Sequence, residues 1–477
     1  MSLSHGVFPK PLGQAIISPI LKKPSLDCNE LANYRPVSNI KFVSKLIEKV
    51  VCKQINQYMY VNSLSEINQS AYTPNRSTET ALIKVKNEML NAVDNQKVVL
   101  LVLLDLSAAF DTIDHDVLLS RLKKNLGISG NVLKWVHSYL SNRITQVHID
   151  GFFSDALPLI YGLPQGSVVG PLMYVIYTLP IGEIIRKYGL TYHLYADDTH
   201  ILTSFNPKIP GARDEALRKL ELCINELNNW LCSNKLKLNG NKTEFFVAGT
   251  LQTLSTLSPV ELKVGDSVIK PSDTVRNLGI IFDSHLSMTR HINSLISSIS
   301  FQLRNIRRIK RFLDHDTLHS VVRALVLSRL DYGNALLYGA KSKDLDRLQS
   351  LQHKAVKLIF SAARRDSPSP LMHKLHWLPV RERINFKVCL YIFKCLEGSA
   401  PEYLINLISL RQPHTGPVTR SSMDKTQITT YVGRNKIGDR AFQAAAPRLW
   451  NCLPRNIREA CSVTSFKKLL KSHYYAY

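Results

Sequence analysis

Val98-Val99-Leu100-Leu101-Val102-Leu103-Leu104 is an unbroken apolar run that stops at Asp105. Such a run fits a strand buried on both faces, although the pattern alone leaves a buried helical segment open. Short runs rich in aromatic and β-branched residues flank Ala196-Asp197-Asp198 and predict a β-hairpin with both acids at the turn. A second hairpin is expected over 146–159, turning at Asp150-Gly151. Helical spacing of Val43, Leu46, Ile47, Val50, Val51 and Ile55 predicts a helix over 41–60. Further helices are expected over 79–92, with Thr78 as N-cap, and over 117–126 and 132–140. Pro171 should open a helix over 172–186, and Leu217, Leu220, Ile224, Leu227 and Leu231 form the apolar stripe of one over 214–231. From Ser284 the chain turns helical, with Ile292, Leu295, Ile296, Ile299, Leu303 and Ile306 in phase. Ser367-Pro368-Ser369-Pro370 marks a boundary, a further helical unit starts over 375–384, and 411–424 reads as a loop. Three regions are therefore expected: 1–283, 284–366 and 367–477.

The 477 residues suffice for two or three domains with sizeable cores. An apolar content of 45% and a mean hydropathy of −0.07 are globular values. No apolar run approaches the roughly 20 residues of a membrane helix, and residues 1–10 lack the apolar centre of a signal peptide. An intracellular, soluble protein of nucleus or cytoplasm, without a membrane partner, is expected. The 61 Lys and Arg against 37 Asp and Glu give a net charge of +24, which favours a polyanionic partner such as nucleic acid. None of the eight cysteines forms a C-x-x-C pair, so they read as reduced thiols, and no structural zinc is expected.

An acid at a strand end can sit at the rim of a cleft. Were Asp105 to lie beside the hairpin, three carboxylates would converge, and hard cations would be needed between them. Two Mg²⁺ roughly 3.5–4 Å apart serve in-line phosphoryl displacement. An Asp-Asp pair in a plain turn is the alternative for 197–198 taken alone.

Three boxes narrow the choice. Tyr195-Ala196-Asp197-Asp198 resembles the catalytic box of reverse transcriptases. Asp105-Leu106-Ser107-Ala108-Ala109-Phe110-Asp111 resembles their first metal-binding motif, and Leu163-Pro164-Gln165-Gly166-Ser167-Val168-Val169-Gly170-Pro171 their nucleotide-side loop. Order and spacing are similar to those of the LINE-type, non-LTR retrotransposon class. Departures are small: Ala71-Tyr72 where Gly-Phe is usual, and Val169 where leucine is more frequent.

The resemblance implies an α+β right-hand polymerase: fingers and an antiparallel-sheet palm over 1–283, a helical thumb over 284–366, and a mostly helical region of unassigned role over 367–477. It implies an RNA-directed DNA polymerase with Asp105, Asp197 and Asp198 as catalytic ligands of two Mg²⁺, or Mn²⁺, and the Leu106 carbonyl as an extra ligand. RNA template, DNA primer and dNTPs would be its partners. Arg35, Phe110, Gln165, Gly166 and Lys242 would face the nucleotide: Arg35 on the triphosphate, Phe110 as steric gate, and Lys242 as acid for the leaving pyrophosphate. Asp111 and Asp114 read as structural, and Arg76 as a template contact. Val275 to Asp283 resembles the primer-grip strand. Arg304, Arg307, Arg308, Lys310 and Arg311 give the thumb a basic face for the template–primer backbone. The family's upstream endonuclease is not among these residues, so target cleavage is expected to lie outside this chain's reach. The rival readings are an inert or domesticated nucleic-acid-binding protein on the same fold, and an RNA-templated RNA polymerase, which bulky Phe110 disfavours.

Overall fold

The computed structural model describes all residues except 1, 108, 142, 266, 412–425, 432, 476 and 477. The segment expected to be a loop over 411–424 therefore lies almost wholly outside the described residues.

The central strand Val98–Leu104 is buried along nearly its whole length because both faces of its sheet are covered. It sits inside a four-stranded antiparallel sheet in the order Glu244–Ala248, Val98–Leu104, Asp198–Phe205, Thr191–Tyr195. Alternate residues serve two cores. Val98, Leu100, Val102 and Leu104 face one that holds Trp135, Tyr139, Tyr174 and the helix Ala212–Ser233. Val99 and Leu101 face another that reaches through the helices Thr78–Asp94 and Thr289–Ile309 to Phe466 and Leu470.

A second sheet runs Tyr34–Ile40, Gln14–Leu21, Ile144–Ile149, Phe152–Phe153, with Leu157–Pro158 also against Ile144–Ile149. Its hairpin turns at Asp150 and Gly151, both at positive φ, as the Asp-Gly pair predicts.

Several expected elements differ. Ser77, not Thr78, caps Thr78–Asp94: its hydroxyl accepts the Thr80 N–H, and the Thr80 hydroxyl accepts the Ser77 N–H in return. The helix expected over 172–186 is two, Gly170–Tyr177 and Pro180–Lys187, because Pro180 removes a backbone donor and restarts the chain at a first-turn position. In Phe42–Val61 the buried residues are Ser44, Glu48, Val51, Ile55 and Met59, whereas Val43, Leu46 and Val50 of the expected stripe are exposed. The supposed primer-grip strand is a hairpin, Thr274–Asn277 with Ile280–Asp283, because Leu278 and Gly279 both take positive φ.

Pro368 opens the helix Pro368–Lys374, whose Met372 joins the core shared by residues on both sides of it. The helix Thr78–Asp94 ties that C-terminal part down. Buried Asp94 accepts the N–H groups of Arg434, Asn435 and Gly438 at 2.6, 2.9 and 3.0 Å. Buried Glu79 takes the Ala335 N–H on one oxygen and Lys387 Nζ and Tyr391 Oη on the other, all at 2.9 Å.

Candidate active site

Thr191–Tyr195 and Asp198–Phe205 form the expected hairpin, with Tyr195 paired to Asp198. The turn itself is therefore Ala196-Asp197, and Asp198 opens the second strand. Ala196 has φ 56°, which this two-residue turn requires and an alanine side chain disfavours. Across the sheet the register runs Leu103↔His200 and Leu104↔Thr199. The ladder ends there: Asp105 directly follows the last paired residue of the central strand, and Asp198 directly precedes Thr199 on its neighbour. The end of the central strand and the turn thus bring the three acids to one edge of the sheet.

Their electrostatics bear this out. Burial pushes the Asp198 carboxyl up to about 6, with Asp197 and then Asp105 adding to the rise and Lys242 opposing it. Asp197 is also raised, first by burial and then by Asp105, while a backbone hydrogen bond, Lys242 and Arg35 pull the other way. Asp105 places one oxygen 3.0 Å from Lys242 Nζ. Lys242 is 66% exposed, so the pair contributes at most about 1 kcal/mol and yields readily. Among the described residues no three His, Cys, Asp or Glu side chains are gathered into a metal-holding group.

The donor chemistry nevertheless fits a hard cation. The Tyr174 hydroxyl is buried without a hydrogen-bond partner among the described residues and is pushed well above its ordinary value by burial, then by Asp197, Asp198, Tyr72 and Asp105. A buried hydroxyl left unsatisfied by the described residues, in the combined field of the three carboxylates, marks a place short of positive charge. Asp105, Asp197 and Asp198 supply oxygen ligands of the kind Mg²⁺ takes. Leu106 is laddered to Leu238 next to them.

Phe110 stacks on Tyr174, ring centroids 4.9 Å apart, so its ring is held at the site's edge. Arg35 lies exposed in the extended strand Tyr34–Ile40, as its place before proline predicts. Gln165 Nε2 donates to the Asp111 carboxylate at 2.9 and 3.2 Å, and Asp114 caps the helix His115–Lys124, so both acids are structural. Gly166, expected to let backbone approach a ligand, is required by the chain itself. A Cβ there would stand 2.7 Å from the Ser38 carbonyl oxygen, because the Ser38 N–H donates to the Gln165 carbonyl at 2.7 Å.

Arg76 is not free for a template. Its Nη1 donates to the carbonyls of Ile67 and Gln69, each at 2.6 Å. Arg304, Arg307, Arg308 and Arg311 are exposed and Lys310 half-exposed along the end of Thr289–Ile309 and the turn after it, and none forms an ion pair among the described residues.

Two residues escaped the sequence reading. Tyr174 is one. The other is Glu48, fully buried, whose carboxylate accepts the N–H groups of Val168 and Val169 at 2.6 and 3.1 Å and so anchors the nucleotide-side loop. A Glu in helical phase with Val51, Ile55 and Met59 was the available signal.

The pattern of the reverse transcriptase (RNA-dependent DNA polymerase) family matches residues 20–282, more than half of the chain. The chain belongs to the reverse transcriptase family. Among similar reverse transcriptases is the protein named "Probable RNA-directed DNA polymerase from transposon BS" of Drosophila melanogaster, 29% identical over 391 residues, 79% of this chain and 42% of its own. The RNA-directed DNA polymerase from mobile element jockey of Drosophila funebris is 26% identical over 76% of this chain and 39% of its own. The chain thus spans about two fifths of the length of the curated relatives it matches. Among solved structures, apo telomerase from Candida tropicalis, truncated from its C-terminal domain, aligns at TM-score 0.40 and 13% identity over 59% of this chain and 55% of that one. Membership of the reverse transcriptase family brings the right-hand polymerase fold, and the mixed helices and sheets agree.

The raised acids set a pH dependence. A carboxyl near 6 when folded and 3.8 otherwise binds its proton more tightly in the folded state. Metal-free protein should therefore lose stability as pH rises through that window. Asp198→Asn removes the charge and is expected to raise the melting temperature in EDTA at pH 7 but not at pH 4. An equal change at both values, read by scanning fluorimetry, would contradict it.

Proposed function

We propose that this chain is an RNA-directed DNA polymerase that extends a primer 3′-hydroxyl with dNTPs on an RNA template. The observation that supports the reading is the pairing of Leu104 with Thr199, which has Asp105 as the next residue on one strand and Asp198 as the preceding one on the other, with Asp197 in the adjoining turn. When bound there, two Mg²⁺ or Mn²⁺ ions, held by Asp105, Asp197, Asp198 and the Leu106 carbonyl, would acidify the primer hydroxyl and steady the leaving pyrophosphate.

The protein's own groups do the rest. Arg35 offers a planar fork to the triphosphate. Lys242, released from Asp105, balances its charge and carries a proton at Nζ for the leaving group. Gln165 and Gly166 border the incoming nucleotide. The ring of Phe110, steadied by Tyr174, fills the space a ribose 2′-hydroxyl would need. The basic face at Arg304, Arg307, Arg308, Lys310 and Arg311 follows the template–primer backbone. Such substrates place the work in the nucleus or cytoplasm. Among the described residues no helix is long and apolar enough to cross a membrane.

Primer extension on poly(rA)/oligo(dT) tests the proposal. With Mg²⁺ the chain is expected to incorporate dTTP and reject UTP, and Phe110→Val should admit UTP. No incorporation would favour an inert nucleic-acid-binding protein. Preference for UTP would favour an RNA polymerase.

A further inference from the structure

The turn that presents Asp197 does not hold itself. Ala196 sits at positive φ, and its N–H donates to Gln69 Oε1 at 3.1 Å, an oxygen that also takes the Ala71 N–H at 2.9 Å. Gln69 is buried on a short stretch laid parallel to Thr191–Tyr195. There the Ser70 N–H donates to the Leu194 carbonyl at 2.9 Å, and the Leu194 N–H to the Asn68 carbonyl at 2.8 Å.

What presses that stretch into place comes from the far end of the chain. Tyr403, buried in the helix Glu402–Ile405, sets its hydroxyl 2.8 Å from Ser70 Oγ and donates to Thr80 Oγ1 at 2.9 Å. Ser70 Oγ is in turn 2.8 Å from Nε2 of His193, which lies on the strand leading to the turn. The Tyr403 ring meets the His193 ring edge-on, centroids 4.9 Å apart. The same ring carries the Arg76 guanidinium at 5.5 Å, and Arg76 holds the Ile67 and Gln69 carbonyls. One side chain thus touches Ser70, His193 and Arg76, three of the groups that hold the stretch bearing Gln69.

We infer that Tyr403, in the otherwise unassigned C-terminal region, is a positioning residue for the Ala196-Asp197 turn, acting through Ser70, Arg76 and Gln69. As a statement about catalysis this rests on the polymerase reading. As a statement about the turn it does not. Tyr403 is not needed merely to dock the C-terminal region, because Asp94 and Glu79 already fasten that region to Thr78–Asp94 without touching the hairpin.

Tyr403→Phe in the full chain keeps the ring and removes the hydroxyl. Hydrogen exchange over 194–198 is expected to speed up about tenfold, as the loss of the buried hydroxyl's bonds to Ser70 and Thr80 implies. In primer extension kcat should fall about tenfold with KM for dTTP unchanged. Leu470→Ala, which opens the same core away from this network, should lower the melting temperature and leave exchange over 194–198 unchanged. Gln69→Met, which removes the acceptor at similar volume, should reproduce the faster exchange and covers the case of a Tyr403→Phe chain that does not fold. Wild-type exchange in a folded Tyr403→Phe or in Gln69→Met overturns the inference, whatever the activity. Faster exchange in a protein that extends no primer would uphold the positioning and sink the polymerase.

Discussion

Glu48→Ala is expected to cost the fold about 3 kcal/mol, by leaving buried donors unpaired, and to loosen the loop that carries Gln165. The carboxylate is fully buried and accepts three hydrogen bonds: Ser44 Oγ donates at 2.7 Å, and the Val168 and Val169 N–H groups at 2.6 and 3.1 Å. Truncation strands two peptide N–H groups and a hydroxyl at about 1–3 kcal/mol each, partly recovered where water enters the gap. Cys52, whose thiol burial and Glu48 push up to about 12, donates to the Val168 carbonyl at 3.2 Å and steadies the same loop from the next turn of the helix. Glu48→Gln keeps the volume and one acceptor, so its cost should be smaller. Urea unfolding followed by circular dichroism checks both, and a loss below about 1 kcal/mol for Glu48→Ala, no more than a single ordinary hydrogen bond, would refute the anchoring role.

Glu48 also marks where the sequence stops being readable. The strand Val98–Leu104 and the hairpin around Asp197 were legible because their signals are local: an uninterrupted apolar run, and two short strands around a tight turn. The three boxes were legible for the same reason. Each is a contiguous string that can be recognised without its distant partners, although the chemistry needs Asp105 beside Asp197 and Asp198. The helix expected over 41–60 is present as Phe42–Val61, and Val51 and Ile55 of its stripe are buried, but Val43, Leu46 and Val50 face solvent while Ser44 and Glu48 turn inward. What decides that orientation is a pair of peptide N–H groups about 120 residues away, which no periodicity records. Arg76 was misjudged likewise, because the carbonyls that absorb its charge exist only once its loop is folded. Tyr403 lies 333 residues from Ser70, and nothing in its surrounding sequence marks it. Pro180, like the helical phase of Glu48, was a visible signal passed over.

Asp197→Asn carries the largest expected effect on activity. The side chain stands in the two-residue turn, partly buried, where burial and then Asp105 raise its carboxyl and where its own charge helps to raise that of Asp198. Asparagine keeps the volume and removes the charge. The fold should persist, and relief of repulsion should leave it no less stable. What is lost is the anionic ligand through which two hard cations would be shared with the neighbouring acids. Such stabilisation of developing charge is worth several kcal/mol, on the order of 10³-fold in rate. Affinity for template–primer should be spared, because the proposed function assigns it to the cations of the basic helical face.

The decisive measurement is single-nucleotide extension of oligo(dT) on poly(rA) with Mg²⁺, comparing wild-type and Asp197→Asn protein, with template–primer affinity read by fluorescence anisotropy on the same samples. Incorporation falling by about 10³-fold at unchanged affinity is the predicted result. Wild-type incorporation by the Asp197→Asn chain would contradict the account.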